Sequence, residues 1–128
     1  MKILDLLKDV SIDVNATCSN KDEAIDTLVS LMAKQGNLNN QDVYKQGIYA
    51  REELSTTGIG EEIAIPHAQS EAVNAPGLAA MVVKDGVDYQ SLDNQPAKLF
   101  FMIAVPKTGG NEHLQIIAML SQMLMDTD

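Results

Sequence analysis

The chain lacks the features that mark several common classes of protein. Cys18 is the only cysteine among its 128 residues, so no disulfide can form within the chain and no cysteine metal cluster can form. No apolar stretch approaches the roughly 20 residues that a membrane-spanning helix requires. The N-terminal residues alternate charged and hydrophobic side chains, without the cleavage pattern of a signal peptide. These absences predict a cytoplasmic protein that is not inserted in a membrane.

Basic residues are also scarce. Lysine and arginine number 9 against 18 aspartates and glutamates, which gives a formal net charge of −9. A charge of this sign repels nucleic-acid backbones and anionic lipids, so neither is expected as a partner, whereas a protein with a basic face is compatible with it. With 45% hydrophobic and 21% charged residues, the composition is that of one ordinary globular domain.

Two segments in the first half have the periodicity of amphipathic helices. In the first, Ser19 is a candidate N-cap with Asp22 in the capping-box position, and apolar residues recur at helical spacing until Gly36. The second begins after Asn40 and carries Arg51 near its end. We therefore expect two helices before the first strands.

Three apolar stretches predict the strands of a central sheet. Residues 63–68, "IAIPHA", read as a short extended run, because the residue before Pro66 is disfavoured in the helical region. Residues 78–84 and 97–105 are nearly continuous apolar runs, typical of strands buried on both faces. A further amphipathic helix is predicted over residues 111–126. This order predicts an α/β domain whose sheet is covered by helices.

The two histidines lie at positions that suit chemistry. His67 ends the predicted extended run beside a loop, where α/β sheets commonly present reactive groups. His113 falls in the first turn of the last predicted helix, where the helix dipole lowers the pKa of an imidazole and favours the neutral ring. Arg51 adds a permanent cation whose planar donors match phosphoryl oxygens. These parts are those of a phosphohistidine site: a nucleophilic nitrogen, an orienting group and donors for the phosphoryl oxygens.

Simpler interpretations of the same residues stay open. His67 can be a structural residue at a strand end, His113 a surface residue at a helix start, and Arg51 part of a solvated helix face with Glu52 and Glu53. The sequence has no nucleotide-binding phosphate loop, no kinase-type glycine loop and no evident set of magnesium-binding carboxylates. A phosphoryl group handled here must therefore arrive on another protein or on a small phosphodonor.

The block "REELSTTGIGEEIAIPHA", residues 51–68, resembles the enzyme IIA domain of the bacterial sugar phosphotransferase system, in its fructose–mannitol class. The resemblance covers essentially all of residues 1–128 and includes "NEHL" at 111–114; residues 92–106, "LDNQPAKLFFMIAVP", are closest to fructose-type members. It implies an α/β fold in which a mixed central sheet is flanked by helices on both faces, in a single domain. We expect no cofactor and no bound metal.

The same resemblance implies a mechanism of phosphotransferase type. His67 would accept a phosphoryl group from phosphorylated HPr and pass it to a cysteine of enzyme IIB, which phosphorylates fructose or a related sugar entering through the membrane enzyme IIC. His113 matches a second family histidine that orients or hydrogen-bonds the phosphoryl group. Arg51 matches an arginine that neutralises its charge. Enzymes IIB and IIC can be separate proteins or part of one polypeptide with this domain.

The sequence departs from the family pattern at two places. Glu62 stands where many relatives have glycine, which puts an additional carboxylate close to His67 in the chain. Relatives generally continue with another helix, so we expect the enzyme IIA domain to be shortened at its C-terminus.

Two other functions stay open. One is a regulatory relative in which phosphorylation of His67 controls binding to a kinase, a transporter or a transcription factor. The other is a metal-binding module that uses His67, His113 and a carboxylate. An anion site rich in arginine and helix amides disfavours the metal.

Overall fold

The computed structural model describes residues 6–107 and Gln115. Within that part of the chain, two helices and six strands follow one another as β1 Leu7–Asp13, α1 Lys21–Ala33, α2 Gln41–Leu54, β2 Gly58–Gly60, β3 Ile63–Ala64, β4 His67–Ser70, β5 Gly77–Val87 and β6 Ala97–Pro106. Both predicted helices are present, and the two apolar runs in the second half form β5 and β6, as expected. Of the helix predicted over residues 111–126, only Gln115 is among the described residues, and it is helical.

The sheet is mixed, which confirms the expected fold class. Its strands run in the order β1-β5-β6-β3-β2, and β4 also pairs with β6. The β5–β6 and β2–β3 pairs are antiparallel, whereas β1 pairs with β5, and β3 and β4 pair with β6, in parallel. Strand β6 is therefore the central element, and β3 and β4 follow one another along the same edge of it. That arrangement brings the middle of the chain against the central strand of the sheet.

Both described helices pack on one face of the sheet. Their apolar stripes join Phe100, Met102 and Ala104 of β6 in one large core. The residues that alternate with these along β6, Ile103 and Val105, face the other side and are also buried. This two-sided burial explains why β6 is nearly continuously apolar in sequence.

The cap of α1 corrects one prediction. Ser19 was expected to cap the helix with Asp22, but Asn20 does so, and its side-chain oxygen accepts a hydrogen bond from the backbone N–H of Glu23 at 2.9 Å. Glu23 in turn accepts from the backbone N–H of Ser19 at 3.0 Å. The capping box therefore exists one residue later than predicted, and the expected stop at Gly36, with φ of +80°, is correct.

Two strands lie where the sequence analysis predicted none. Strand β1 has only one buried residue, Ser11, so it lacks the alternation that identifies a strand. Strand β2 lies just before the predicted extended run at residues 63–68, and its partner β3 is two residues long. Strands β2 and β3, of three and two residues, are too short to show a period of two.

None of the helices in the described part of the chain is long and apolar enough to cross a membrane.

Candidate functional site

His67 is the first residue of β4 rather than the last residue of an extended run, which corrects the predicted position. Strand β3 ends at Ala64, and Ile65 and Pro66 connect it to β4. Proline has no N–H group to donate to a strand ladder, so the ladder along β6 is interrupted there. The Pro66 carbonyl accepts a hydrogen bond from the backbone N–H of Ile103 at 3.0 Å, and His67 pairs with Ile103 in register. The imidazole thus stands at a fixed point of the sheet.

The His67 ring is oriented by its own backbone. Its Nδ1 atom lies 2.8 Å from the carbonyl oxygen of Ile65, and the side chain is half-buried. Because a carbonyl oxygen only accepts hydrogen bonds, Nδ1 must carry the proton. In the neutral ring the lone pair is therefore on Nε2. This arrangement selects which nitrogen of His67 can act as a nucleophile.

Helix α2 supports the strand pair that carries His67. The Tyr44 hydroxyl donates a hydrogen bond to the carbonyl of Ile103 at 2.9 Å, in a fully buried position. Burial raises the pKa of Tyr44 well above its ordinary value, so the phenol stays a neutral donor. One turn later, a Cβ atom on Gly47 would lie 3.4 Å from the Cβ of Ala68. Gly47, which is unfavourable inside a helix, therefore marks the close approach of α2 to β4.

Arg51 lies on the part of α2 that passes the histidine. Gly47, one turn before it, contacts Ala68, and Thr57, just after the helix, accepts a hydrogen bond from the backbone N–H of Ile65 at 2.9 Å. These two contacts lie on either side of His67 in the chain and bracket Arg51. The guanidinium Nη1 donates to the carbonyl oxygen of Ser55 at 2.9 Å, at the C-terminal end of the helix. The helical position expected for Arg51 is confirmed, and its role stays a prediction.

His113 and the "NEHL" segment lie outside the described residues, so the predicted pairing of the two histidines stays a prediction.

Glu62 lies in the turn between β2 and β3 and pairs there with a lysine. Its carboxylate is 3.1 Å from Lys98 Nζ, and both side chains are exposed. Lys98 precedes Ile103, the partner of His67, by five residues, which corresponds to about 16 Å of strand. The backbone φ of Glu62 is +66°, in the left-handed region that favours glycine. A glycine would adopt this conformation without strain.

A buried polar cluster, formed by Lys21, Glu52, Thr57 and Tyr89, lies next to these residues. The Glu52 side chain is only 5% exposed and lies 3.0 Å from Lys21 Nζ. It accepts hydrogen bonds from both the backbone N–H and the hydroxyl of Thr57. The Tyr89 hydroxyl is 3.3 Å from Thr57 Oγ1, and Lys21 Nζ lies 4.6 Å from the centre of the Tyr89 ring. Burial and then the charge of Glu52 raise the pKa of Tyr89.

Glu52 is the residue that the sequence analysis missed. We had grouped it with Arg51 as part of a solvated face, which is wrong because its side chain is buried. A signal was present in the sequence, since Tyr44, Ile48 and Glu52 recur every four residues and form one stripe. Tyr44 and Ile48 are both fully buried. A carboxylate on a buried stripe requires partners, and the cluster provides them.

Among residues 6–107, no three histidine, cysteine, aspartate or glutamate side chains converge in a way that could hold a metal ion.

Comparison with known proteins places the chain among components of the phosphoenolpyruvate-dependent sugar phosphotransferase system. Residues 5–128 match the family model described as "Phosphoenolpyruvate-dependent sugar phosphotransferase system, EIIA 2". The fructose-specific EIIABC component of Bacillus subtilis is 47% identical over 98% of this chain, which spans only 20% of that protein. The fructose-specific EIIA component of Haloferax volcanii is 41% identical over 86% of this chain and 71% of its own length.

Two further comparisons concern a partner complex and a regulator. The solution structure titled as the complex of enzyme IIAMTL and phosphorylated enzyme IIBMTL from Escherichia coli superposes with a TM-score of 0.77, at 28% identity, over 93% of this chain and 83% of its counterpart. The nitrogen regulatory protein of Escherichia coli is 33% identical over 85% of this chain and 67% of its own length.

Proposed function

The chain belongs to the EIIA 2 family of the phosphoenolpyruvate-dependent sugar phosphotransferase system, and we propose that His67 is its phosphoryl acceptor. The observation that carries this proposal is the hydrogen bond between His67 Nδ1 and the carbonyl of Ile65 at 2.8 Å. It holds the ring in the tautomer whose Nε2 atom has the lone pair. A half-buried position at the start of a strand leaves part of the ring accessible to another protein.

The transfer is a displacement at phosphorus. The Nε2 lone pair of His67 forms a bond to phosphorus, and the bond between phosphorus and the histidine nitrogen of phosphorylated HPr breaks with its electron pair returning to HPr. In the onward step, a thiolate of enzyme IIB forms the new bond to phosphorus, and the N–P bond of His67 breaks. The nitrogen lone pair is thereby restored for the next cycle, so the domain acts as a carrier.

Arg51 and His113 are the groups proposed to assist. Arg51 lies on the stretch of α2 that passes His67 and carries a planar set of N–H donors suited to phosphoryl oxygens. Its present partner is the backbone carbonyl and hydroxyl of Ser55, which a phosphoryl group can replace as acceptor. His113 is proposed to hydrogen-bond the transferred group. A neutral imidazole at that position would donate a hydrogen bond to the phosphoryl group without adding charge.

The partners and the substrate are proposed from the names of the relatives. The Bacillus subtilis relative is a fructose-specific protein whose name joins components A, B and C. We propose that this domain is located in the cytoplasm and serves the uptake of fructose or a related sugar. Enzyme IIB would accept the phosphoryl group from it, and the membrane enzyme IIC would carry the sugar. The net charge of −9 supports docking to a partner with a basic face around its own phosphorylated residue.

Intact mass after incubation with phosphoenolpyruvate, enzyme I and HPr tests the assignment. Wild-type protein should gain one acid-labile phosphoryl group, only when HPr is present, and His67→Ala should gain none. A phosphorylated His67→Ala protein would place the acceptor elsewhere. Onward transfer to enzyme IIB then separates the carrier from a regulator, since a purely regulatory relative would keep its phosphoryl group in the presence of IIB.

A further inference from the structure

We propose that Glu52 is a positioning residue for His67, which it reaches through Thr57 and Ile65. The proposal rests on the proposed function, because it explains how the acceptor nitrogen is selected. Glu52 lies directly after Arg51 on α2, but its side chain is 5% exposed and faces the polar cluster instead of solvent. Its side chain hydrogen-bonds Thr57 and pairs with Lys21, and neither of these contacts is with His67. Its effect on His67 must therefore pass through the chain of hydrogen bonds that follows it.

The first link joins Glu52 to Thr57. One carboxylate oxygen accepts the backbone N–H of Thr57 at 3.1 Å, and the other accepts the Thr57 hydroxyl. Two hydrogen bonds to one residue fix both its peptide plane and its side-chain rotamer. Thr57 is itself buried, with 3% of its surface exposed, so water does not compete for these two hydrogen bonds. The residue that follows α2 is thus locked to the last turn of the helix.

The second link carries this constraint to the imidazole. The carbonyl of Thr57 accepts the backbone N–H of Ile65 at 2.9 Å, which fixes the peptide before Ile65. The carbonyl of Ile65 then accepts from His67 Nδ1 at 2.8 Å. A shift of Thr57 would move Ile65 and with it the acceptor of the Nδ1 proton. The tautomer of His67 therefore depends on the position of a residue ten places earlier in the chain.

The charge of Glu52 is held by groups from other elements. Lys21, in the first turn of α1, lies 3.0 Å from Glu52 Oε1 and above the ring of Tyr89. Tyr89 is fully buried, and its hydroxyl is within hydrogen-bond distance of Thr57 Oγ1. Since the Thr57 hydroxyl donates to Glu52, the Tyr89 hydroxyl is the donor in the second contact. The cluster thus ties α1, α2 and the segment after β5 to the residue that positions Ile65.

The glutamine variant separates this role from simple packing. Glu52→Gln keeps the size of the side chain and one oxygen, but it replaces the other oxygen by an amide NH2 group that accepts no hydrogen bond, so one of the two hydrogen bonds from Thr57 is lost in either orientation of the amide. Thr57→Val removes that hydroxyl while keeping the shape, and Thr57→Ser restores it. The neighbouring Glu53→Gln, on an exposed side chain, makes the same change of charge without touching Thr57.

The test measures the His67 tautomer directly in free protein. Long-range proton–nitrogen spectra of ¹⁵N-histidine-labelled protein, at a pH where the ring is neutral, report which nitrogen carries hydrogen, and His67→Gln assigns the signals. We expect Nδ1–H in the wild type, in Thr57→Ser and in Glu53→Gln. In Glu52→Gln and Thr57→Val we expect a mixture with the Nε2–H form, and phosphorylation by HPr that is about tenfold slower.

A stability-matched control distinguishes positioning from loss of folding. Val29→Ala removes buried volume from α1 without touching the cluster. It therefore lowers the free energy of unfolding without acting through the hydrogen bonds of Glu52. A tautomer change in Val29→Ala as large as that in Glu52→Gln would overturn the proposal, as would an unchanged tautomer in both Glu52→Gln and Thr57→Val. The tautomer shifts need no phosphoryl donor, so a wild-type protein that HPr fails to phosphorylate would contradict the proposed function but not the positioning.

Discussion

His67 Nδ1 lies 2.8 Å from the carbonyl oxygen of Ile65, two residues earlier in the same chain. This contact turns the imidazole back on its own backbone and assigns the proton to Nδ1. The residue between them, Pro66, cannot donate to the sheet, and its carbonyl is held by the N–H of Ile103. The sequence "IPH" therefore interrupts the strand at its proline and orients the imidazole ring of its histidine.

Removal of the Tyr44 hydroxyl should weaken the fold. Tyr44→Phe deletes the buried hydrogen bond to the Ile103 carbonyl, and we expect the free energy of unfolding to fall by about 1 kcal/mol. Urea unfolding followed by circular dichroism measures it. Tyr49→Phe is the matched control, since it removes an exposed hydrogen bond to Asp26 and should change stability by less than about 0.5 kcal/mol. Equal effects of the two variants would contradict the support role of Tyr44.

The close approach of α2 to β4 predicts opposite effects of two substitutions at Gly47. Alanine places its Cβ 3.4 Å from Ala68, an ordinary contact, and favours the helix, so Gly47→Ala should raise stability by up to about 1 kcal/mol. Gly47→Leu cannot fit there, and it should displace β4 and slow phosphorylation of His67 about tenfold. Rapid-quench kinetics with phosphorylated HPr measures the rate. A leucine variant with the wild-type rate would show that the helix does not position the strand.

The left-handed backbone at Glu62 predicts that glycine is the better residue there. Glu62→Gly and Glu62→Ala both remove the pair with Lys98. The difference between their free energies of unfolding therefore measures the cost of the left-handed backbone conformation for a residue with a Cβ atom. We expect the glycine variant to be more stable than the alanine variant by about 1 kcal/mol in urea unfolding. Both should be phosphorylated at the wild-type rate, because Glu62 lies at the Lys98 end of β6. A slowed rate in both variants would instead place the carboxylate in the reaction.

The planar set of N–H donors on Arg51 should contribute more to the rate of phosphoryl transfer than its charge alone. Arg51→Lys keeps the charge but loses the bidentate donors, and we expect phosphorylation to slow about tenfold, with a larger loss of about a hundredfold in Arg51→Ala. Single-turnover transfer from HPr measures both. Lys45→Ala removes another cation of α2, which pairs with Asp26, and should leave the rate unchanged. A wild-type rate of phosphorylation in Arg51→Ala would show that Arg51 does not assist the transfer.

The elements that the sequence could predict are those with a strong local signal. Strands β5 and β6 follow from uninterrupted apolar runs, and α2 follows from its Asn40 cap. Strand β1 could not be found in this way, because Ser11 is its only buried residue and its partner is far along the chain. The α1 cap was misplaced by one residue because Ser19 and Asn20 are both good caps, and only the fold decides between them.

The sequence could propose candidate residues for the site, but it could not give their geometry. His67 and Arg51 were named from residue chemistry and the motif, whereas the hydrogen bond to Ile65 depends on backbone angles that no spacing encodes. Glu52 was missed because its two charged neighbours suggested a solvated face. Its place on the stripe with Tyr44 and Ile48 was visible in the sequence, but its partners Lys21 and Tyr89 come from distant segments. Such long-range pairs are set by the tertiary fold.

The most direct test of the account identifies the nitrogen that receives the phosphoryl group. Protein labelled with ¹⁵N-histidine is phosphorylated by phosphoenolpyruvate, enzyme I and HPr, and the coupling between ³¹P and ¹⁵N is then measured at neutral to alkaline pH. The account predicts a one-bond coupling to Nε2 of His67, with Nδ1 still bearing hydrogen. A coupling to Nδ1 of His67, or to either nitrogen of His113, would contradict it.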